Sequence, residues 1–272
     1  MLSNEQLQDI QRLQQECETY DDIQLKLNWE MLRTRKSNQL DFLLYEDGEL
    51  IGFLGLYDLA PNVEVCGMVK PNRRRKGHFT SLFRQGIERS RQLGFQQILL
   101  NAPAGSQAAR AFLSRTGAAY AFTEHQMKWE KQPLQQASGV RLRPAEAADE
   151  GIRLRLNVEA FGMEEEDALA MEKEIDQRGD SKVFMIEANG ETVGKIRVSK
   201  EENEAWIYGF CVLPEKQGQR IGRRALSLIV EELSSEGHSV HLEVEAMNDN
   251  ALGLYESVGF RRVHSQDYYS YD

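Results

Sequence analysis

Three separated pieces of this 272-residue chain recur at an almost constant spacing. D-G-E-L-I-G, from Asp47 to Gly52, returns as N-G-E-T-V-G, from Asn189 to Gly194, 142 residues later. Pro71 returns as Pro214 at 143, and L-S-R-T-G-A (Leu113 to Ala118) returns as Y-E-S-V-G-F (Tyr255 to Phe260) at 142 again. A constant offset across three motifs means that one unit of fold occurs twice. The length agrees, since it exceeds one ordinary domain. The break is expected in K-Q-P-L-Q-Q-A-S-G, Lys131 to Gly139, a polar stretch with Pro and Gly. That places an N-terminal domain at residues 1–132 and a C-terminal one at 138–272.

Periodicity supplies the elements of each copy. Residues 3–35 carry Leu7, Ile10, Leu13, Ile23, Leu27 and Met31 at helical spacing, which predicts one or two amphipathic helices. The pair Asp47–Gly48 separates two apolar runs, Asp41 to Glu46 and Glu49 to Tyr57, and glycine accepts positive φ, so a hairpin is expected. A strand over Val63 to Lys70, a helix running towards Gly94, a strand over Gln96 to Asn101 and a helix over Ser106 to Arg115 complete the first copy. The second opens with a strand, Val140 to Pro144, that has no counterpart in the first. Helical material then fills Ala145 to Gln177, and strands follow over Ser181 to Ala188, Glu191 to Ser199 and Ala205 to Leu213. Strands in series with inserted helices predict an α/β class, with a mixed sheet flanked by helices in each domain.

Composition narrows the function classes. No apolar run approaches the roughly 18 residues of a membrane span, and M-L-S-N-E-Q-L-Q-D does not read as a secretory signal, so a cytoplasmic protein is expected. The cysteines, Cys17, Cys66 and Cys211, lack metal-ligand spacing and suit a reducing compartment. Residues 1–136 hold 17 Lys and Arg against 16 Asp and Glu, whereas residues 137–272 hold 16 against 27. The acidic second half favours a cationic partner and disfavours nucleic acid, the basic run Arg73 to Lys76 notwithstanding.

Chemistry concentrates between Cys211 and Tyr255. A strand ending C-V-L-P (Cys211 to Pro214) passes through E-K-Q-G-Q-R-I-G (Glu215 to Gly222) into the helical pattern R-R-A-L-S-L-I-V-E-E-L. Helix starts expose unpaired N–H groups at the positive end of the macrodipole and so can hold a phosphate-bearing ligand. A second strand, His241 to Ala246, leads into N-D-N-A-L-G-L-Y-E-S-V-G-F (Asn248 to Phe260). Together, Q-G-Q-R-I-G after V-x-P and the run L-E-V-x-x-x-N-x-x-A-x-x-L-Y-x-x-x-G-F resemble the GNAT superfamily of acyl-CoA-dependent N-acyltransferases. The family loop reads Q/R-x-x-G-x-G/A. Gln217 and Gly222 match it, and Arg220 stands where its first glycine is expected.

The resemblance implies two GNAT-like domains in tandem, each a splayed, mostly antiparallel sheet flanked by helices, with acetyl-CoA as cofactor. It places the cofactor against Phe210, Cys211 and Val212, against the loop Gln217, Gly218, Gln219, Arg220, Ile221, Gly222 and Arg223, and against Asn248. Tyr255 becomes the general acid for the departing thiolate; an ordinary phenol, with pKa about 10, is protonated at neutral pH. Glu243 becomes the base, at the position that relatives acetylating ribosomal-protein N-termini use, and alternation puts Glu245 on the same face. In many relatives the base sits on the fourth strand, where this copy has Trp206 and Tyr208. The acceptor would be a small-molecule amine, a peptide N-terminus or a lysine, attacking directly. The other reading is an acyl-CoA sensor without turnover. The first copy keeps Arg74 and Gly77 but has Leu113, Asn101 and Ser106 where the second has Tyr255, Glu243 and Asn248, so it is expected to be non-catalytic.

Overall fold

The computed structural model describes residues 1–37, 39–59, 61–134 and 138–272. The middle of the expected linker, residues 135–137, lies outside them. Two compact units result: Met1–Glu124 together with His264–Asp272, and His125–Val263. Each half of the chain thus gives its closing segment to the other unit.

The first unit begins with α1 (Asn4–Asp21) and α2 (Trp29–Thr34). Ser3 starts α1 with a reciprocal capping box to Gln6, as a Ser-x-x-Gln sequence favours. Then come β1 (Asp41–Glu46), β2 (Glu49–Leu59), β3 (Asn62–Val69), α3 (His78–Gln92), β4 (Gln97–Pro103), α4 (Gln107–Leu113) and β5 (Ala119–Trp129). Asp47 (φ 50°) and Gly48 (φ 80°) make the tight turn between β1 and β2, and Asn189 (φ 53°) with Gly190 (φ 82°) repeats it in the second unit. Both pairs hold the successive positive φ values that a two-residue hairpin demands. Strand β2 is buried on both faces, which explains its unbroken apolar run. Leu54 and Leu56 pack beneath Leu82, Phe83 and Ile87 of α3. Phe53 and Tyr57 pack on the other face with Ile10, Leu13 and Cys17 of α1.

The second unit contains β6 (Val140–Pro144), α5 (Glu150–Phe161), α6 (Glu165–Arg178), β7 (Ser181–Ala188), β8 (Glu191–Glu201), β9 (Glu204–Val212), α7 (Ile221–Ser235), β10 (Ser239–Glu245), α8 (Asp249–Val258) and β11 (Phe260–Tyr271). Its larger core joins Ile196, Val198, Ile207 and Leu242 of the sheet to Leu226, Ile229 and Val230 of α7. A smaller one seats Leu156 of α5 on Met185 and Cys211.

Both units share one sheet grammar: successive antiparallel pairs, then a parallel pair, β3 with β4 and β9 with β10. In each, the parallel ladder is short. It ends at Val65 and Leu100 in the first unit and at Ile207 and Leu242 in the second. The strands nevertheless run on, to Val69 and Pro103 and to Val212 and Glu245, so they part into a V-shaped cleft.

Strands β5 and β11 lie beyond the elements expected from periodicity. The end of β11 pairs antiparallel with β4, Tyr268 opposite Asn101, and Tyr269 and Tyr271 join the first unit's core. The end of β5 puts Met127 and Trp129 into the second unit's core, where the Trp129 indole donates to the Val258 carbonyl at 3.0 Å.

Candidate active site

In the second unit the cleft opens at a bulge. Gly209 has φ +52°, and the β8–β9 register slips between Lys195 and Arg197. The one-residue insertion accounts for the change of repeat offset from 142 to 143 between the start of β9 and Pro214. A bulge bends its strand and leaves a backbone group outside the ladder, and it falls just before Phe210, Cys211 and Val212. In the first unit, β2 pairs with β3 from Gly52–Val69 to Leu59–Asn62 without a slip.

After Val212 the loop is fastened by its own side chain. The Gln217 amide donates to the Val212 carbonyl at 3.0 Å. Gln217 to Arg220 are exposed. Arg220 precedes α7 with φ +62°, a left-handed conformation that costs a non-glycine residue roughly 1–2 kcal/mol. The fold therefore imposes on Arg220 the backbone that the family's first loop glycine would adopt freely. No side chain caps α7, and its first internal bond runs from the Arg224 N–H to the Arg220 carbonyl. The amides of Ile221, Gly222 and Arg223 point out of the helix start, the arrangement that binds anions. Arg220, Arg223 and Arg224 form no ion pair with any described residue, so their charges add to that end of the dipole.

Gly222 lies against Phe210; a Cβ there would stand 3.4 Å from the Phe210 ring and from Leu254. Tyr255, one residue further along α8, is 9% exposed, with its ring 6.3 Å from Phe210 and 6.0 Å from Phe260. Burial, and secondarily Cys211, push its phenol up to about 12, and its hydroxyl makes no hydrogen bond to another described residue. Asn248 caps α8, accepting from the Ala251 N–H at 3.1 Å. Glu243 is half-buried, on the face opposite the core residues Leu242 and Val244, whereas Glu245 is exposed at the strand end. Burial likewise pushes the Cys211 thiol up to about 12. A thiol so protonated is a poor nucleophile, which favours direct attack over an acyl-cysteine.

The first unit presents the same frame differently filled. Its cleft holds a cavity of about 370 Å³, lined by Gly67, Val69, Arg74, Phe79, Ala102 and Phe112 among others. Arg74 repeats the loop fastening, donating to the Val69 carbonyl at 2.9 Å, but its remaining donors grip Asp21 at 2.9 and 2.7 Å. Arg73 pairs with Glu46 at 3.2 Å, leaving Arg75 and Lys76 exposed. Phe79 stands where Gly222 does in the second unit, and Gly67 where Phe210 does. A Cβ on Gly67 would come within 3.0 Å of the Phe79 ring. The first copy's loop therefore has its first glycine, Gly77 (φ +86°), but a bulky ring in place of the second. Leu113 is buried, and Asn101 donates to Glu64 at 2.9 Å. Glu64, on β3, is a carboxylate at the counterpart of the second unit's fourth strand that periodicity did not single out; aligning it with Trp206, 142 residues apart, finds it.

Comparison with known proteins agrees with this geometry. An acetyltransferase (GNAT) family profile matches residues 4–118, and an acetyltransferase (GNAT) domain profile matches residues 144–270. The mycothiol acetyltransferase of Streptomyces griseus is 32% identical over 80% of this chain and 76% of its own length. The chain belongs to the GNAT family of acetyltransferases. The mycothiol acetyltransferase of Thermomonospora curvata is 28% identical over 96% of this chain and 92% of its own. The bS18-alanine N-acetyltransferase of Escherichia coli is 33% identical over 29% of the chain. Among solved structures, a GCN5-related N-acetyltransferase from Sphaerobacter thermophilus shares the fold with TM-score 0.79 at 21% identity, covering 97% of this chain and 91% of its own. A tandem GNAT protein from the clavulanic acid biosynthesis pathway gives 0.63 at 17%, covering 85% and 82%. As a member of the GNAT family this protein is an acetyltransferase, and such enzymes in general take the acetyl group from acetyl-CoA. Among the described residues no helix is long and apolar enough to cross a membrane.

Proposed function

We propose that the C-terminal copy transfers acetyl from acetyl-CoA to a primary amine, on a small molecule or a peptide, and that the N-terminal copy is non-catalytic. The observation that carries this reading is the placement of Tyr255, a buried phenol beside the bulged strand and the open start of α7, where the first copy has Leu113. The diphosphate of the donor lies on the amides of Gly218 to Arg223, and its pantetheine arm runs into the cleft past Asn248. The thioester carbonyl accepts from backbone N–H groups at Phe210 and Val212, which aims the acyl carbon at the amine.

Glu243 takes a proton from the ammonium. The free amine attacks the carbonyl carbon, the C–N bond forms as the C–S bond breaks, and Tyr255 protonates the departing thiolate. The surplus proton on the new amide nitrogen resets the phenol. Three unpaired, buried cysteines suit a cytoplasmic, reducing setting for this chemistry.

Tyr255→Phe tests the assignment. A general acid contributes about 10²–10⁴-fold, so kcat should fall by that order while acetyl-CoA affinity stays within about twofold. Turnover at the wild-type rate would remove Tyr255 from the mechanism. The pH profile supplies an independent check. A phenol raised to about 12 remains protonated throughout neutral and mildly alkaline conditions, so this group causes no alkaline loss of kcat below about pH 10.

A further inference from the structure

Several buried and half-buried arginines of the described chain close on carboxylates. Arg35 lies 4.9 Å over the Tyr57 ring and bonds Asp41 and the Leu40 carbonyl. Arg74 grips Asp21, Arg143 bonds Asp149 and Glu187, and Arg153 bonds Glu172 and Asp176. Arg197 does not follow them. It pairs with Tyr208 across β8 and β9, its guanidinium carbon 4.8 Å from the centre of the tyrosine ring. Its one side-chain hydrogen bond to a described residue is a 3.5 Å contact with the Ser181 hydroxyl. Burial lowers its pKa from the ordinary arginine range; Tyr208, Asp180 and Glu172 oppose that shift, but none forms an ion pair with Arg197.

Its direction matters as much as its lack of a partner. Ile196 and Val198 belong to the core under α7, so Arg197 projects from the opposite face of the sheet. On that face stand Trp206, stacked 4.9 Å from His241, then Tyr208 and, one strand over, Glu243. The Gly209 bulge follows Tyr208 directly, so Arg197 sits beside the point where the cleft opens. Stacking on Tyr208 covers a face of the guanidinium and leaves the N–H edges in its plane, which match a planar carboxylate in bidentate fashion.

We propose that Arg197 is the acceptor-recognition residue of the C-terminal site, and that the acceptor is an amine bearing a carboxylate, held as an amino acid would be between Arg197 and Glu243. This rests on the C-terminal copy being the working acetyltransferase. Apart from the long Ser181 contact its forked donors meet no described side chain in a hydrogen bond, so a ligand carboxylate supplies the ion-pair partner that the protein itself does not.

The test uses the full chain saturated with coenzyme A. A panel of amino acids, each paired with its carboxamide, is titrated by calorimetry, with O-phosphoethanolamine as the phosphate-bearing arm. At least one free acid should bind about tenfold or more tightly than its amide, the difference vanishing in Arg197→Met and returning in part in Arg197→Lys. Coenzyme A affinity, unchanged in both variants, reports that they are folded. The inference is overturned if acids and amides bind alike or not at all, if phosphoethanolamine outbinds every acid, or if the preference survives Arg197→Met. Acetyl transfer to the same panel separates the two layers of the argument. Transfer indifferent to the carboxylate refutes the role of Arg197 and leaves the acetyltransferase site standing; carboxylate-dependent binding without transfer to any amine does the reverse.

Discussion

The two copies fill equivalent clefts with a ring from opposite walls. In the first unit the ring is Phe79, on the helix, packed over Gly67 on the strand; in the second it is Phe210, on the strand, packed over Gly222 on the helix. Each copy needs one aromatic residue and one glycine across the cleft, because two rings would collide and two glycines would leave a void. Which wall carries the ring decides what else the site can do. With Phe210 on the strand, the start of α7 is bare backbone flanked by cations without ion-pair partners. With Phe79 on α3, the helix start is bulky, and the loop arginines Arg73 and Arg74 are neutralised by Glu46 and Asp21. Tyr255 against Leu113 and the bulge at Gly209 against an unbroken ladder follow the same division. Duplication has kept the frame, and under the proposed function the phosphate-binding and proton-transfer groups lie in one copy.

The largest effect that can break this comparison comes from matched substitutions in the two loops. Gly222→Asp puts a carboxylate where the diphosphate should rest and should lower acetyl-CoA turnover by more than about 100-fold through lost donor binding. Gly77→Asp in the other copy should leave it within about threefold, since the proposed chemistry does not use that loop. Comparable losses in both, measured as thiol release, would mean that both clefts work.

The next effect concerns the exchange of closing strands. Truncation after Val263 removes the stretch of β11 that pairs with β4, Tyr268, Tyr269 and Tyr271 included. Full burial of an aromatic side chain is worth about 1.5–3 kcal/mol, so the first unit should lose several kcal/mol. Hydrogen exchange should show the amides of β4 deprotected while those of β8 and β9 hold. Uniform loss across both units would mean that the exchange does not divide stability as the units suggest.

The repeat, the hairpin turns and the loops were legible because each depends on local backbone chemistry. Asp47–Gly48 and Asn189–Gly190 announce positive φ, Asn248 announces a helix start, and the spacing from Gln217 to Gly222 announces a loop with exposed amides. Tyr255 and Glu243 were named through resemblance; the structure buries Tyr255 beside Phe210 and leaves Glu243 half-buried on β10, and their roles stay proposals. The destination of β5 and β11 was not legible, since alternation tells which face a strand buries and not which neighbour it pairs with. Nor were the partners of Arg74 and the solitude of Arg197. Both depend on side chains far away in sequence: Asp21, 53 residues from Arg74, in one case, and the want of an ion pair between Arg197 and any described carboxylate in the other. The exchange of Phe79 and Phe210 was written in the aligned copies, but only as two departures in opposite directions, which acquire meaning once the strand and helix face each other.

The central claim is that the cofactor's diphosphate rests on the start of α7, and backbone hydrogen exchange of the full chain with and without coenzyme A tests it without reference to any acceptor. The account predicts slowed exchange at the amides of 210–212, 218–224 and the first turn of α8, with little change elsewhere. Protection confined to 67–79 and the first turn of α4, with none at 218–224, would contradict it.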